Sequence, residues 1–365
     1  MHQKDVGSED RLAENVDRPS RVESANTAVA AILASTDIWD MTLPWIPIYW
    51  DLNVLARYKR AGYTYVSASL QDWPPTFDGM RQCIERFKEM AKPAADWLTF
   101  AGSLAEIDKA RRESKLAFGV HAHDTRPIGE DLSRIEALHA LGVRHMLLAF
   151  QVRNLVADGC AERSDAGLSN FGCQVVREMN RVGIIVDCSH AGQRSSLEAI
   201  ELSEWPVIFS HSNAYTVWPH VRNIRDEQIR ACAARDGVIG VVGIGAYLGD
   251  VLAHTETMFR HIDYIASLVG PQHVGLGTDY VDIFPVKDHS ARWESYRAEH
   301  GDVLNWPDPT NAWPDSTQLK AGESQCFPPE RLVELIELML VRGYSTEVIK
   351  GILGGNFRRV YANTL

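Results

Sequence analysis

The chain has 365 residues, of which 45% are hydrophobic, and a formal net charge of −11 at pH 7. This length can bury a large core and suits one large α/β barrel or two medium domains, of which the single barrel is the simpler expectation. Because the net charge is negative and no run of Lys or Arg exceeds two residues, the charge pattern argues against a nucleic-acid partner and favours a small-molecule substrate.

The first part of the chain is polar. Residues 1–25 lack the apolar segment that a secretory signal requires, and the apolar run 28–34 is too short to span a bilayer. We therefore expect no membrane partner and interpret residues 1–34 as a polar N-terminal extension of a single domain that spans 35–362. The six scattered cysteines form no C-x-x-C pair, which favours reduced thiols and a cytoplasmic location.

Short apolar runs alternate with helix-like segments over the rest of the chain, a pattern typical of repeated βαβ units. Three of the helix-like segments end in glycine, as helices commonly do: 131–142, 171–183 and 260–270. Apolar strands that are each followed by a helix indicate a parallel sheet covered by helices, so we predict a TIM-type (β/α)8 barrel. The eight predicted strands are 35–39, 63–70, 115–121, 145–150, 183–190, 206–211, 237–244 and 273–279.

Two segments interrupt this alternation. Residues 71–114 predict an excursion beside the barrel mouth, beginning with the turn-rich stretch QDWPPTFDG. Residues 286–325 follow the last predicted strand and are polar, with Trp293, Trp306 and Trp313 among them. A loop of this length commonly has a function, and its tryptophans favour a lid-like insertion over the site.

Several predicted strands end in residues that can carry chemistry. One strand ends in His121 and His123, two others end in His190 and His211, and the last ends in Asp279. In a TIM-type barrel the carboxyl ends of the strands line the active site. A single histidine there is more often a hydrogen-bonded core residue. Imidazoles on three strands together with a carboxylate are a typical ligand set for Zn²⁺ or another divalent transition metal.

Three stretches of the chain resemble the membrane (renal) dipeptidase family of metallopeptidases, a branch of the amidohydrolase-like TIM barrels. The resemblance extends over about residues 35–362 and implies a TIM barrel with a metal-dependent hydrolase activity. The stretches that carry it are FGCQVVREMNRVGIIVDCSHAGQRSSLEAI (171–200), PVIFSHSNAYTVWPHVRNIRDEQI (206–229) and GGNFRRVY (354–361).

This resemblance implies roles for four residues. The histidines of the family's D-x-S-H and S-H-S motifs bind the second of two zinc ions, which implies that role for His190 and His211. The arginine of its R-N pair binds the substrate carboxylate, so Arg222 is implied to bind an anionic or oxygen-rich group. The alternative for this arginine is an ion pair with Asp226. The aspartate after the last strand lies in the catalytic centre, which implies that Asp279 is a proton shuttle, a metal neighbour or both.

The chain departs from the family pattern at the first metal site. The family's D-x-H-x-D motif aligns with residues 37–41, where its metal-binding His and second Asp fall on Trp39 and Met41. Its bridging Glu falls on His121, and a neutral imidazole has one lone pair and cannot bridge two metals. The substrate-contacting histidine of its L-T-H-N motif falls on Phe150. These changes predict one metal ion instead of two.

We predict that His121, His190 and His211 hold one divalent transition metal ion, Zn, Fe, Mn or Co, with water or substrate in an open position. Three neutral ligands favour ionisation of the bound water. His123 lies on the same side of its strand as His121 and could be a fourth ligand, a partner of a ligand or a substrate contact. Six further residues are expected around the pocket, although the aromatic ones could belong to the core: Trp39, Met41, Phe150, Asn213, Trp218 and Tyr247.

Three functions are compatible with these residues. The first is a metal-dependent hydrolase that uses a metal-bound hydroxide on a C–N bond of a small planar heterocycle, including loss of a nitro group from a nitroimidazole-like azole. Aromatic residues in place of family histidines favour it because flat apolar walls suit planar substrates. The second is dipeptide hydrolysis, and the third is an inactive barrel kept for ligand binding or for contacts in a homo-oligomer.

Overall fold

The computed structural model describes residues 18–45, 52–70, 75–281 and 324–364, and of residues 18–26 only the helical backbone. The strands are β1 Trp39–Trp45, β2 Tyr65–Leu70, β3 Leu98–Phe100, β4 Leu116–Ala122, β5 Val143–Leu147, β6 Ile185–Asp187, β7 Ile208–Phe209, β8 Val238–Val241 and β9 Val274–Leu276.

The helices lie between and after these strands. They are α1 Arg18–Ser35, α2 Leu52–Ala61, α3 Phe77–Ala91, α4 Leu104–Arg112, α5 Ser133–Leu141, α6 Asn170–Val182, α7 Gln193–Leu202, α8 Asp226–Ala234, α9 Gly245–Leu248, α10 Thr255–Val269, α11 Leu332–Val341, α12 Thr346–Lys350 and α13 Asn356–Thr364, with a π-helical turn at Gly351–Gly355.

The strands form one parallel sheet in the order β1-β2-β4-β5-β6-β7-β8-β9. Most of them are buried on both faces, as expected for a sheet that is filled inside and covered by helices outside. The two end strands approach each other, because the N–H of Asp279, just after β9, donates to the carbonyl of Thr42 in β1 at 3.0 Å. The predicted TIM-type (β/α)8 barrel is therefore confirmed.

A ninth strand lies beside the barrel. β3 pairs with Leu116–Phe118 of β4, whereas β5 pairs with the later part of β4 at Val120 and Ala122. Both strands therefore use the same edge of β4, one after the other. β3 belongs to the segment 71–114, of which residues 75–114 form α3, β3 and α4. β3 is not among the predicted strands, because three residues are too few to show a strand pattern.

The first predicted strand is wrong. Helix α1 continues to Ser35, and β1 begins at Trp39 instead of occupying 35–39. Asp40, Thr42 and Pro44 interrupt the apolar pattern of β1, and a proline normally argues against a strand interior. Residues 282–323 lie outside the described part of the chain, and the expected lid at 286–325 falls almost entirely within them. No helix within the described ranges is long and apolar enough to cross a membrane.

The amino ends of the strands are closed by the C-terminal helix. The ring of Trp39, at the start of β1, lies 4.7 Å from that of Tyr65 and 5.3 Å from that of Tyr361 in α13. Phe357 of α13 contacts Gly275 of β9 so closely that a Cβ there would lie 2.2 Å from its ring. Aromatic packing thus fills this end of the barrel and leaves the opposite end for a site.

A buried carboxylate joins the two ends of the sheet. Asp40 of β1 is fully buried and accepts hydrogen bonds from the backbone N–H groups of Thr42 at 3.1 Å and Thr278 at 2.9 Å. The hydroxyls of Thr278 and of Tyr58 in α2 donate to its other oxygen. Burial raises the pKa of Asp40 to about 6, although these hydrogen bonds act in the opposite direction.

We expect Asp40→Ala to destabilise the fold by at least about 3 kcal/mol, because it leaves several buried donors without an acceptor. Asp40→Asn should cost clearly less, because its amide oxygen can still accept from both backbone N–H groups and its NH₂ can donate to the hydroxyls. Urea unfolding measures both. Asp96→Ala, at an exposed carboxylate, is the control. Equal stability of Asp40→Ala and this control would refute the role given to Asp40.

Candidate active site at the barrel mouth

The residues predicted from the strand ends lie at the carboxyl end of the barrel. His121 is in the last part of β4 and His123 follows that strand, while His190 and His211 follow β6 and β7. Asp279 follows β9. His121, His190 and His211 are buried, and His123 and Asp279 are partly exposed. The barrel therefore gathers the predicted residues at one mouth, as its topology requires.

His190 and His211 contact each other directly. Their Nε2 atoms are 2.9 Å apart, and Nδ1 of His211 lies 2.7 Å from the hydroxyl of Ser210 and 3.1 Å from that of Thr42. His190 adopts a left-handed backbone conformation with φ 64°, and none of the described residues forms a hydrogen bond with its Nδ1. Burial, and then the nearby Arg222, lower the pKa of both imidazoles well below 6.5. Both rings are therefore neutral at pH 7.

His121 makes contacts with other residues than this histidine pair. Its ring stacks on that of His145 with centroids 4.1 Å apart and 19° between the planes. Its Nδ1 lies 2.9 Å from the hydroxyl of Ser67, and within the described ranges its buried Nε2 has no hydrogen-bond partner. The structure thus joins two of the three predicted metal ligands and engages the third elsewhere.

The described residues do not complete a metal site. Within 18–45, 52–70, 75–281 and 324–364, no three His, Cys, Asp or Glu side chains form a group that could hold a metal ion. His190 and His211 have the chemistry of two ligands, because both are neutral imidazoles whose Nε2 atoms converge. The predicted site of three histidines is not assembled.

Phe150 forms an aromatic wall between two histidines. Its ring centroid lies 4.0 Å from that of His123 and 4.4 Å from that of His190. Nδ1 of His123 lies 2.7 Å from the hydroxyl of Ser69 in β2. His123 therefore packs with the wall. Phe150 thus lies beside both histidines, and its place in a substrate pocket stays a prediction.

Arg222 is a buried cation, with 1% of its surface exposed. Its Nη1 donates to the hydroxyl of Ser212 at 3.0 Å and its Nη2 donates to the carbonyl of His211 at 2.5 Å. Its Nε has no hydrogen-bond partner in the part of the protein that the structure describes. Asp226 is instead bonded to Thr216, so the alternative ion pair is not formed. No carboxylate in the described part of the chain forms a salt bridge with Arg222, and such a cation favours an anionic ligand.

Asp279 combines backbone strain with a raised pKa. It adopts a left-handed conformation with φ 53° and is held by the hydrogen bond of its N–H to Thr42. Burial raises the pKa of its carboxyl to about 7, with Arg222 lowering it and Asp40 raising it further. A carboxyl group with this pKa can accept or donate a proton near neutral pH.

The other expected pocket residues have different roles. The ring of Tyr247 lies 5.9 Å from the guanidinium of Arg222, which places it beside the site. Asn213 uses its amide to donate to the carbonyl of Val242 and to accept from its N–H, so it fixes the backbone. The indole N–H of Trp218 donates to the carbonyl of Ala246 at 3.1 Å, which anchors this ring to the chain.

Trp39 and Met41 do not lie at the mouth. Both belong to the buried cluster that includes Tyr65, Phe357 and Tyr361, at the amino ends of the strands. In the register of the sheet, Trp39 of β1 lies opposite Tyr65 of β2, whereas Pro44 lies opposite Ser69 of β2, which in turn lies opposite His121. The aligned motif therefore falls too early in the strand to reach the site.

Two polar residues that are linked to His121, directly or through one another, were not predicted from the sequence. His145 and Asp187 are polar residues within the otherwise apolar strands β5 and β6. Nδ1 of His145 lies 3.1 Å from the carboxylate of Asp187. A polar residue inside a buried strand was the available signal, because such a group needs a partner. The sequence did not indicate which partner it would have.

Comparisons with known proteins agree with this architecture. The family profile described as membrane dipeptidase (peptidase family M19) matches residues 52–292. Dipeptidase tcpJ of Claviceps purpurea is 29% identical over 298 residues, which are 80% of this chain and 60% of that protein. Dipeptidase aclJ of Aspergillus oryzae is 30% identical over 291 residues, which are 76% of this chain and 59% of that protein. The chain thus spans about 60% of the length of these curated relatives.

Solved structures show the same fold. An amidohydrolase from Pseudomonas aeruginosa is 25% identical with a TM-score of 0.79, over 92% of this chain and 98% of that one. A metallo peptidase from Rhodobacter sphaeroides, liganded with a phosphinate mimic of the dipeptide L-Ala-D-Ala, is 17% identical with a TM-score of 0.69. That match covers 90% of this chain and 99% of the other, and it supports the fold alone.

We expect small carboxylates such as formate and acetate to stabilise the protein, because an anion can bind the buried guanidinium of Arg222. Saturating carboxylate should raise Tm by about 2 °C, measured by thermal unfolding at constant ionic strength. The rise should disappear in Arg222→Met. It should persist in Arg163→Met, at an exposed arginine. An equal rise in wild type and Arg222→Met would contradict the anion site.

Proposed function

Because the chain belongs to the membrane dipeptidase family (peptidase family M19), we propose that it is a hydrolase that cleaves a C–N bond of a small substrate at the barrel mouth. The observation that carries this proposal is that the carboxyl of Asp279 has a pKa of about 7 and interacts electrostatically with the buried cation of Arg222. Hydrolysis needs a group that exchanges a proton near the working pH and a group that holds the substrate.

The two residues have separate roles. Asp279 in its ionised form accepts a proton from the attacking water and then donates it to the leaving nitrogen. Arg222 binds an anionic or oxygen-rich substituent, for which its Nε is available. The family resemblance points to metal chemistry, which supplies an activated water when a metal is bound. The His190–His211 pair makes at most two ligands among the described residues, so Asp279 and Arg222 carry the proposed steps.

The aromatic wall favours a planar substrate. Phe150 presents a ring between His123 and His190, and flat heterocycles stack well on such a surface. Trp39 no longer supports this choice, because it packs at the other end of the barrel. Among planar substrates we propose an electron-poor azole whose C–N bond is cleaved, with a nitroimidazole as the first compound to assay.

Dipeptide hydrolysis is the second candidate. It is supported by the names of the curated relatives, both dipeptidases, and by the dipeptide mimic bound to the solved metallo peptidase. Arg222 would then bind the C-terminal carboxylate of the dipeptide. The two candidates share Asp279 and Arg222 and differ in what lies against Phe150.

We expect Asp279→Asn to lower kcat by about 10²- to 10⁴-fold, because the amide cannot take the proton. The wild-type kcat/KM should rise as the pH increases through about 7, since the ionised form of Asp279 is the base. This inflection should be absent in the residual activity of the variant. Asp96→Asn, at an exposed carboxylate, is the matched control. A wild-type profile that is flat between pH 6 and 8 would argue against Asp279 as the base.

We expect Phe150 to decide between the two substrate classes. Phe150→His places an imidazole where the family has one and should raise the ratio of dipeptide to azole turnover by at least about tenfold. Phe150→Leu removes the flat wall without adding an imidazole, so it should lower azole turnover and leave dipeptide turnover low. A panel of dipeptides and nitroimidazoles, assayed with and without added Zn²⁺, measures these ratios. High wild-type turnover of L-Ala-D-Ala with none of the azoles would make dipeptide hydrolysis the function.

A further inference from the structure

A buried chain of hydrogen bonds crosses the sheet below the mouth. The carboxylate Oδ2 of Asp187 in β6 lies 3.1 Å from Nδ1 of His145 in β5. Nε2 of His145 lies 3.0 Å from the hydroxyl of Ser67 in β2, and the same hydroxyl lies 2.9 Å from Nδ1 of His121 in β4. All four side chains are fully buried. The chain therefore connects four strands without contact with solvent.

When both imidazoles are neutral, the chemistry of the groups sets the direction of these hydrogen bonds. An ionised carboxylate only accepts, so Nδ1 of His145 carries the hydrogen. In a neutral ring Nε2 then accepts, and the hydroxyl of Ser67 must donate to it. That hydroxyl has given its one hydrogen, so it accepts from His121. Nδ1 of His121 therefore carries the hydrogen, and its Nε2 is left with a free lone pair.

The carboxylate of Asp187 is itself fixed. Its Oδ1 accepts from the backbone N–H groups of Ser189 at 2.9 Å and Ser210 at 3.1 Å, while Oδ2 faces His145. The two oxygens thus have separate partners. The backbone contacts hold the carboxylate in one orientation, and only Oδ2 acts on the imidazole.

We propose that Asp187, His145 and Ser67 are positioning residues that hold His121 in the Nδ1–H form and present its Nε2 lone pair at the barrel mouth. This proposal rests on the proposed function for its catalytic use. The lone pair accepts a hydrogen bond from an N–H or O–H group of the substrate or of water, or it binds a divalent cation. His121 would thereby add a base or ligand to the groups of Asp279 and Arg222.

Two further observations support a role for this lone pair. Nε2 of His121 is buried and lacks a hydrogen-bond partner among the described residues, a state that costs free energy and is uncommon in folded proteins. The ring also cannot easily turn to find another partner, because it stacks on His145 with centroids 4.1 Å apart and is held by Ser67. A hydrogen-bond donor or a cation that reaches this nitrogen would satisfy its lone pair.

The substitution Asp187→Asn tests the direction of the hydrogen bonds that link Asp187 to His121. Its amide oxygen can replace Oδ1 toward Ser189 and Ser210, and its NH₂ then faces His145 and donates. Nδ1 of His145 must then accept, which moves the hydrogen to its Nε2 and reverses the hydroxyl of Ser67. His121 should therefore change to the Nε2–H form. Long-range ¹H–¹⁵N spectra of the metal-free protein, labelled with ¹⁵N-histidine, report the tautomer of each ring directly.

Two other variants complete the spectroscopic test. Ser67→Ala removes the link, so His145 should stay in the Nδ1–H form while His121 becomes a mixture of tautomers. Ser69→Ala removes a hydroxyl of the same strand that is bonded to His123 instead, and it should leave the tautomer of His121 unchanged. If Asp187→Asn does not fold, the comparison of Ser67→Ala with Ser69→Ala still decides the proposal.

Wild-type spectra that show His121 in the Nε2–H form, or a doubly protonated His145, would overturn the proposal. An unchanged His121 tautomer in both Asp187→Asn and Ser67→Ala would do the same. Added Zn²⁺ should shift the ¹⁵N signal of His121 Nε2 if the lone pair binds a cation. An azole or dipeptide should shift this signal in metal-free protein if the lone pair binds a substrate.

The assay separates this proposal from the proposed function. With a turned-over substrate, Asp187→Asn should lower kcat by about 10²- to 10⁴-fold with little change in KM, because only the tautomer is altered. If the spectra show the expected tautomers but wild type turns over no substrate, the proposed hydrolase function fails while the positioning chain stands. Full activity of a tautomer-inverted Asp187→Asn would overturn the catalytic use of His121.

Discussion

The barrel mouth depends on the way the two end strands meet. β1 and β9 are joined through the buried carboxylate of Asp40, which accepts from the backbone and the hydroxyl of Thr278. The next residue is Asp279, whose N–H donates to the carbonyl of Thr42, and the hydroxyl of Thr42 lies 3.1 Å from Nδ1 of His211. One set of hydrogen bonds therefore closes the sheet and also positions the acid–base candidate beside the histidine pair.

The electrostatics of the mouth follow from its burial. Low polarity lowers the pKa values of His190 and His211 and raises that of Asp279, so these groups tend toward their neutral forms near pH 7. Arg222 cannot lose its charge in this way, because a guanidinium stays protonated in proteins. A buried cation among neutral imidazoles favours a nearby negative charge or oxygen atom.

The fold could be predicted from the sequence because its signals are local and repeated. Apolar runs that alternate with helices ending in glycine, such as the one that stops at Gly142, define a parallel barrel without any knowledge of long-range contacts. The strand ends then place His121, His190, His211 and Asp279 at one mouth. The prediction of β1 was wrong because Pro44 and two polar residues interrupt its apolar pattern. The predicted strand ended at Trp39, so this residue was assigned to the wrong end of the barrel.

The details of the site could not be predicted, since they depend on partners that are distant in the chain. Ser67 and His121 are 54 residues apart, and His145 and Asp187 are 42 apart. Strand periodicity says that these residues are buried but not which of them share a hydrogen bond. That His121 contacts Ser67 and His145, while His190 and His211 contact each other, is likewise not reported by any spacing of motifs.

His190 and Asp279 have a common backbone property with a consequence for protein engineering. Both adopt left-handed conformations, at φ 64° and 53°, where an ordinary side chain costs about 1 kcal/mol or more relative to glycine. A stabilisation protocol that scores backbone energy alone would choose glycine at both places and delete the two side chains. In this barrel, a gain in thermal stability by that route would remove the imidazole and the carboxyl group that we propose for the site.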